Sequence, residues 1–191
     1  MKKIILASQS PRRKQLLEWA EIPFEIIVKE TDESFPPALP VEEVAIHIAR
    51  QKAITVQQEL DESPVILAAD TLVVLHAKIM GKPADREEAI LFLEALSGQK
   101  HKVITGVCIL NNGNEIVFAD STEVEFHKLT KEQIIFYVDK YKPFDKAGAY
   151  AIQEWIGVVG IKSVQGDFYN VMGLPVSRVV KELNNLQTGG E

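Results

Sequence analysis

Asn111-Asn112-Gly113-Asn114 stands between two long segments of strand character, at about 101–111 and 115–127. Asn-Gly between such segments is the turn chemistry of a two-residue hairpin, because both central residues must take positive φ. An antiparallel pair is thereby set into the middle of the chain. Before it, strands and helices alternate. A short apolar strand at Ile4-Ile5-Leu6 leads to a helix over 11–20, a strand from Phe24 to Val28, a helix from about Val41 to Leu60 and a continuous apolar run from Val65 to Ala69. Such alternation builds parallel sheet covered by helices, and a hairpin within it makes the sheet mixed.

The remaining segments follow the same logic. Leu72 to Leu75 reads as a separate strand that leads to a turn around Gly81. A helix over 84–96 is opened by Asp85 and closed at Ser97-Gly98, and another runs from Thr130 to about Lys140. Val158 to Val164 and Asp167 to Asn170 flank Gln165-Gly166 as a second expected hairpin, with a last helix from Pro175 to Leu186. The tail at 188–191 is expected to fray, and no internal repeat is evident.

With 191 residues, the chain is long enough for one large domain or two small lobes. A net charge of -6 argues against a nucleic-acid partner, which calls for a basic face. An anion site in such a molecule must be a local cationic pocket, suited to a small phosphorylated ligand. Cys108 is the only cysteine, which excludes an intrachain disulfide and a cysteine metal cluster. No run is long enough for a membrane span, and the expected location is the cytoplasm.

Candidate chemistry begins at the first strand–loop–helix. Ser10 before Pro11 reads as a helix start, and the loop brings Ser8, Ser10, free backbone N–H groups, Arg12 and Arg13 to one place. Cations at a helix N-terminus oppose the helix dipole, which makes sense when an anion sits there. Lys52 shares a helical stripe with Val41, Val44, Ala45 and Ile48, so it must snorkel, pair, or face a polar cavity. Asp70 is expected at the carboxyl end of a buried strand, placed to bind a hard cation or to accept a proton. Lys82 lies in a rigid Gly-Lys-Pro turn. Asp145 and Lys146 precede the small-residue run Ala147-Gly148-Ala149, with Gln153 at the end of the segment. Glu33 lies in an acidic, proline-rich loop over 29–40, where solvation is the expectation from its own surroundings. Neither a Gly-x-x-x-x-Gly-Lys loop nor a Gly-x-Gly-x-x-Gly turn is present, and the four histidines lack metal-ligand spacing.

Ser8-Gln9-Ser10-Pro11-Arg12-Arg13, Ala49-Arg50-Gln51-Lys52-Ala53, Ala68-Ala69-Asp70-Thr71, Gly81-Lys82-Pro83 and Ser97-Gly98-Gln99-Lys100-His101 occur in order. Thr105-Gly106, the run from Asp145 to Gln153 and Asn170-Val171-Met172-Gly173-Leu174-Pro175 follow. Together they resemble the Maf family of nucleoside triphosphate pyrophosphatases, also called septum-formation inhibitors, from residue 4 to about 180. The resemblance implies an α/β fold with a mixed, elongated, twisted sheet, flanking helices and two lobes around a cleft, as in the inosine triphosphate pyrophosphatases. It implies hydrolysis of a nucleoside triphosphate to monophosphate and pyrophosphate with a divalent metal, Mg²⁺ or Mn²⁺. By position it implies Ser8, Arg13, Lys52 and Lys82 as substrate-binding residues, and Glu33 and Asp70 as the acidic pair for catalysis and metal, with Asp70 the proton acceptor. Arg12, Thr71 and Gln153 fall at three selectivity positions with the pattern of the group acting on dTTP and UTP. A nucleotide-binding regulator of cell division, working through a protein partner, is the alternative, and a homodimer is a candidate assembly.

Overall fold

The computed structural model describes residues 3–60 and 64–188. In chain order the elements are β1 (Ile4–Leu6), α1 (Pro11–Trp19), β2 (Phe24–Ile26), α2 (Val41–Gln57), β3 (Ile66–Leu75), β4 (Lys78–Met80), α3 (Arg86–Leu96), β5 (Lys100–Asn111), β6 (Asn114–Phe126), α4 (Lys131–Tyr141), α5 (Trp155–Gly160), β7 (Ile161–Gln165), α6 (Phe168–Met172) and α7 (Val176–Thr188). A 3-10 turn, Ala147–Ala149, lies between α4 and α5. The strands hydrogen-bond in the order β2-β1-β3-β5-β6-β7, with β4 on β3. β1 runs parallel to β2 and β3, while β4 and β7 pair antiparallel with β3 and β6. The sheet is mixed, as the central hairpin requires. Asn112 and Gly113 both have positive φ, 48° and 81°, in the two-residue turn joining β5 to β6.

The chain divides into two compact units, one of residues 1–70, 105–120 and 173–191, the other of 71–104 and 121–172. In the first, α2 lays Ala49, Ala53 and Val56 against Ile5, Ala7, Ile66, Ala68, Cys108 and Leu110 from the strands. Small residues on the helix allow its backbone to approach the sheet closely. At Gly106 on β5 the approach is so near that a Cβ would lie 2.2 Å from the Ala45 carbonyl carbon. In the second unit, Leu93 and Leu96 of α3 and Ile134, Tyr137 and Val138 of α4 are buried. Both helices begin on side-chain caps. Asp85 accepts from Glu88 N at 2.9 Å, and Thr130 with Gln133 forms a reciprocal capping box. Among the described residues no helix is long and apolar enough to cross a membrane.

Three expectations are corrected. The apolar runs at Val65–Ala69 and Leu72–Leu75 are one ten-residue strand, so Asp70 lies in the middle of β3 rather than at its end. Two half-buried polar positions, Asp70 and Thr71, interrupt the burial pattern without interrupting the extended backbone. The turn after β3 falls at His76-Ala77, both at positive φ, and the strand β4 follows it before Gly81. The second hairpin is absent: β7 pairs with β6 instead, and Phe168 to Met172 is helical. There Asp167 Oδ1 accepts from Tyr169 N at 2.7 Å and Asn170 N at 3.3 Å, which starts a helical turn in place of a strand. The last helix includes Thr188, and the rest of the expected frayed tail lies outside the described residues.

Candidate active site

The first unit gathers six of the residues singled out from the sequence. β1 ends at Leu6, and the chain turns through Ser8 into the N-cap at Ser10, whose hydroxyl accepts from Arg13 N at 3.5 Å. Ser8 Oγ accepts from Ser10 N at 3.2 Å and from Arg13 Nη1 at 3.0 Å. Arg13 Nε donates to the carbonyl of Gly173 at 2.8 Å. Arg13 as a whole is 8% exposed. Arg13 therefore folds back over its own loop and fastens it to a segment far along the chain. Burial lowers its pKa to about 10, Asp70 and Glu33 act to raise it and Arg12 to lower it. It stays fully charged at neutral pH, and those three charges are its electrostatic neighbours.

Lys52 decides the geometry. Its ammonium lies 2.8 Å from Glu33 Oε1 and 2.7 Å from Asp70 Oδ1. The lysine and aspartate side chains are only 18% and 14% exposed. Of the three fates open to an inward lysine, the structure selects pairing. α2 sets this up by alternation around its axis: Ala49 and Ala53 are buried on the sheet, Arg50 points outward to Glu115 at 2.6 Å, and Lys52 lies at the border of the buried face. Glu33, half-exposed in its irregular loop, pairs with the lysine while keeping contact with solvent. Nothing local in the sequence around Glu33 announces this.

A positive charge cradled by two carboxylate oxygens shows what the pair can accept. Hard oxygen donors converging on one cationic point suit Mg²⁺ or Mn²⁺, which fill the rest of their shell with water and phosphate oxygens. Among the described residues no group of three or more His, Cys, Asp or Glu is assembled for a metal. Glu33 and Asp70 fit a shared, substrate-completed site rather than a cage made by protein alone.

The other three candidates belong to the second unit. Thr71 follows Asp70 directly on β3, half-buried. Lys82 is exposed in the irregular segment after β4, and its neighbour Gly81 accepts at its carbonyl from Gly148 N at 3.0 Å. That bond ties the Lys82 segment to the small-residue run before Gln153. Gln153 sits exposed in a turn just before α5. Sequence reasoning missed two supports: the Gly173 carbonyl that anchors Arg13, and the glycine at 106 that lets α2 seat. Both lay within quoted motifs, but each acts through a partner distant in sequence.

A model of the Maf-like protein family matches residues 3–186 of this chain. The chain belongs to that family. Relatives named dTTP/UTP pyrophosphatase align with most of its length. The one from Parabacteroides distasonis is 47% identical over 96% of this chain and 95% of the relative. The one from Cytophaga hutchinsonii is 50% identical over 96% and 84%, and one from Bacteroides fragilis 44% over 96% and 96%. Among solved structures, the Staphylococcus aureus Ham1 protein matches with a TM-score of 0.48 and 16% identity, covering 83% of this chain and 91% of that one.

Proposed function

We propose that this Maf-like chain hydrolyses nucleoside triphosphates to the monophosphate and pyrophosphate, with dTTP and UTP preferred and a divalent metal assisting. The observation that carries the reading is the ammonium of Lys52 held between Glu33 and Asp70, with buried Arg13 as their electrostatic neighbour. The near full-length likeness to relatives named dTTP/UTP pyrophosphatase supports the same chemistry.

A triphosphate brings about four negative charges at neutral pH, and attack by water builds more on the phosphorus oxygens. Prepositioned cations therefore contribute more in the transition state than in the ground state. Arg13 and Lys52 are proposed to supply that charge, and Lys82 is proposed as a further substrate-binding residue. Arg13 needs no rearrangement, since Ser8 and Gly173 already hold two of its donors. Asp70 accepts the proton of the attacking water while Lys52 fixes the carboxylate's orientation through Oδ1. A metal held by Glu33 and Asp70 supplies Lewis acidity at the phosphates when bound. Arg12, Thr71 and Gln153 are proposed to set base preference, the Gln153 amide offering both a donor and an acceptor to the edge of uracil or thymine.

The test is pyrophosphate release from a panel of dTTP, UTP, CTP, GTP and ATP with Mg²⁺ or Mn²⁺, run beside Asp70→Asn. Pyrophosphate and monophosphate in equal amounts, fastest from dTTP and UTP and absent in the folded variant, is the expected result. Full turnover by Asp70→Asn would remove that carboxylate from the chemistry, and binding without product would overturn hydrolysis altogether.

A further inference from the structure

A second polar network lies in the unit that carries Gln153. Lys146 is buried, with its ammonium 2.7 Å from Asp145 Oδ1 and 3.6 Å from Glu154 Oε1. The other carboxylate oxygen of Glu154 accepts the hydroxyl proton of Tyr137. The same hydroxyl accepts from the backbone N–H of Ala151 at 3.2 Å. Tyr137 is fully buried on α4, and its ring stacks on Tyr141 at 5.0 Å between centroids. One rigidly held oxygen thus grips residues 151 and 154, which flank the turn bearing Gln153. The Glu154–Lys146 contact closes the segment back on its own start.

The backbone between these grips needs holding. Gly148 and Ala149 take consecutive left-handed conformations, φ 66° and 60°, and Ala149 adopts this against its intrinsic preference. The end of the turn is pressed against α5, since a Cβ on Gly157 would lie 1.7 Å from the Ile152 carbonyl oxygen. Ala151 and Ile152 are buried while Gln153 is exposed, so the segment presents that one side chain outward.

We propose that Tyr137, Glu154 and Lys146 are positioning residues that hold the Gln153 turn in register for reading the nucleotide base. This rests on the assignment of Gln153 to base preference made above. The three side chains act through the backbone at 151 and 154 and touch no substrate. Loosening them lets the amide of Gln153 wander, which weakens discrimination among bases before it weakens phosphate chemistry, carried by other residues.

The experiment measures kcat and KM of the full chain for UTP and GTP in the wild type, Tyr137→Phe, Glu154→Gln, Gln153→Ala and the Tyr137→Phe/Gln153→Ala double variant. Tyr137→Phe is expected to lower the UTP-to-GTP ratio of kcat/KM by about fivefold or more, the scale of one lost hydrogen bond, mainly through KM for UTP. Glu154→Gln keeps an oxygen for Tyr137 but loses the charge facing Lys146. It is expected to lower the ratio less, and it serves as the second arm should Tyr137→Phe fold poorly. The double variant is expected to show no further loss beyond Gln153→Ala. A purely structural role would lower UTP and GTP turnover by the same factor, and an unchanged ratio in Tyr137→Phe and Glu154→Gln while Gln153→Ala collapses it overturns the proposal. An unchanged ratio in Gln153→Ala itself overturns the base-reading assignment, and the proposal with it.

Discussion

Replacing Gly106 with alanine tests whether the seating of α2 on the sheet sets the position of the lysine that bridges the two carboxylates. The added Cβ would lie 2.2 Å from the Ala45 carbonyl carbon, 2.3 Å from Ile46 N and 2.4 Å from Ala45 O. All three are backbone atoms, so no rotamer change relieves the clash. Ordinary contact begins near 3.4 Å, so helix or strand must yield by more than about 1 Å. Lys52 lies seven residues beyond Ala45 on the same helix, about 10 Å along its axis. A stiff helix transmits the displacement to the ammonium, which now sits 2.7 Å from Asp70. Overpacking of this kind costs about 1–3 kcal/mol of stability, and a misplacement of about 1 Å in a catalytic array costs roughly 10²-fold in rate. Urea unfolding followed by circular dichroism reads the first, and pyrophosphate release from UTP reads the second. An osmolyte that restores the fold should leave most of the rate defect in place. Gly81→Ala is the control for stability, because nothing lies within 4 Å of its added Cβ. Wild-type kcat/KM and an unchanged unfolding midpoint in Gly106→Ala would refute the reasoning.

Arg13→Lys keeps the charge but cannot reach Ser8 Oγ and the Gly173 carbonyl together, so we expect a loss of about 1.5–3 kcal/mol in urea titrations with a fall in turnover. Wild-type stability in that variant would sink the anchoring role. His101 on β5 is buried beside Tyr150, with Nε2 and the phenol oxygen 2.7 Å apart, and desolvation lowers its pKa to about 4 from 6.5. The unfolded chain then binds the proton more tightly, so the associated stability is full above about pH 6.5 and is lost as pH falls towards 4, on the order of 3 kcal/mol in all. His101→Gln should remove that part of the slope in urea midpoints taken between pH 7 and 4; a slope identical to wild type counts against it. Thr130→Ala removes the hydroxyl of the α4 capping box and should lower stability by about 1 kcal/mol, read as a shift in thermal midpoint, while turnover at 25 °C is unchanged.

The features legible in the sequence are those whose cause is local. Ser10-Pro11 starts α1, Asp85 starts α3, Thr130 starts α4 and Asn112-Gly113 turns β5 into β6, each through a hydrogen bond or φ requirement contained within a few residues. The passage through Asp70 and Thr71 was misread because two polar residues look like a strand end, whereas the ladder needs only backbone groups and tolerates half-buried side chains. His76-Ala77 carries no turn chemistry of its own and takes positive φ because β3 and β4 pair on either side. At the site, the charges of Arg12, Arg13, Lys52 and Asp70 could be named, but Glu33 pairs with a lysine 19 positions later, which its own surroundings do not announce. The Tyr137–Glu154 bond joins residues 17 apart through a helix and an irregular loop, and no periodicity reports such a contact.

The bond from Arg13 to the Gly173 carbonyl spans 160 residues. A ribosome emits the N-terminal loop first and, at about 5–20 residues per second, needs on the order of ten seconds or more to deliver its fastening point. Throughout synthesis the loop therefore carries the right residues without the arrangement, and a chain abandoned before Gly173 never gains it. Such fragments are expected to be idle, which ties the onset of nucleotide consumption to the emergence of Gly173.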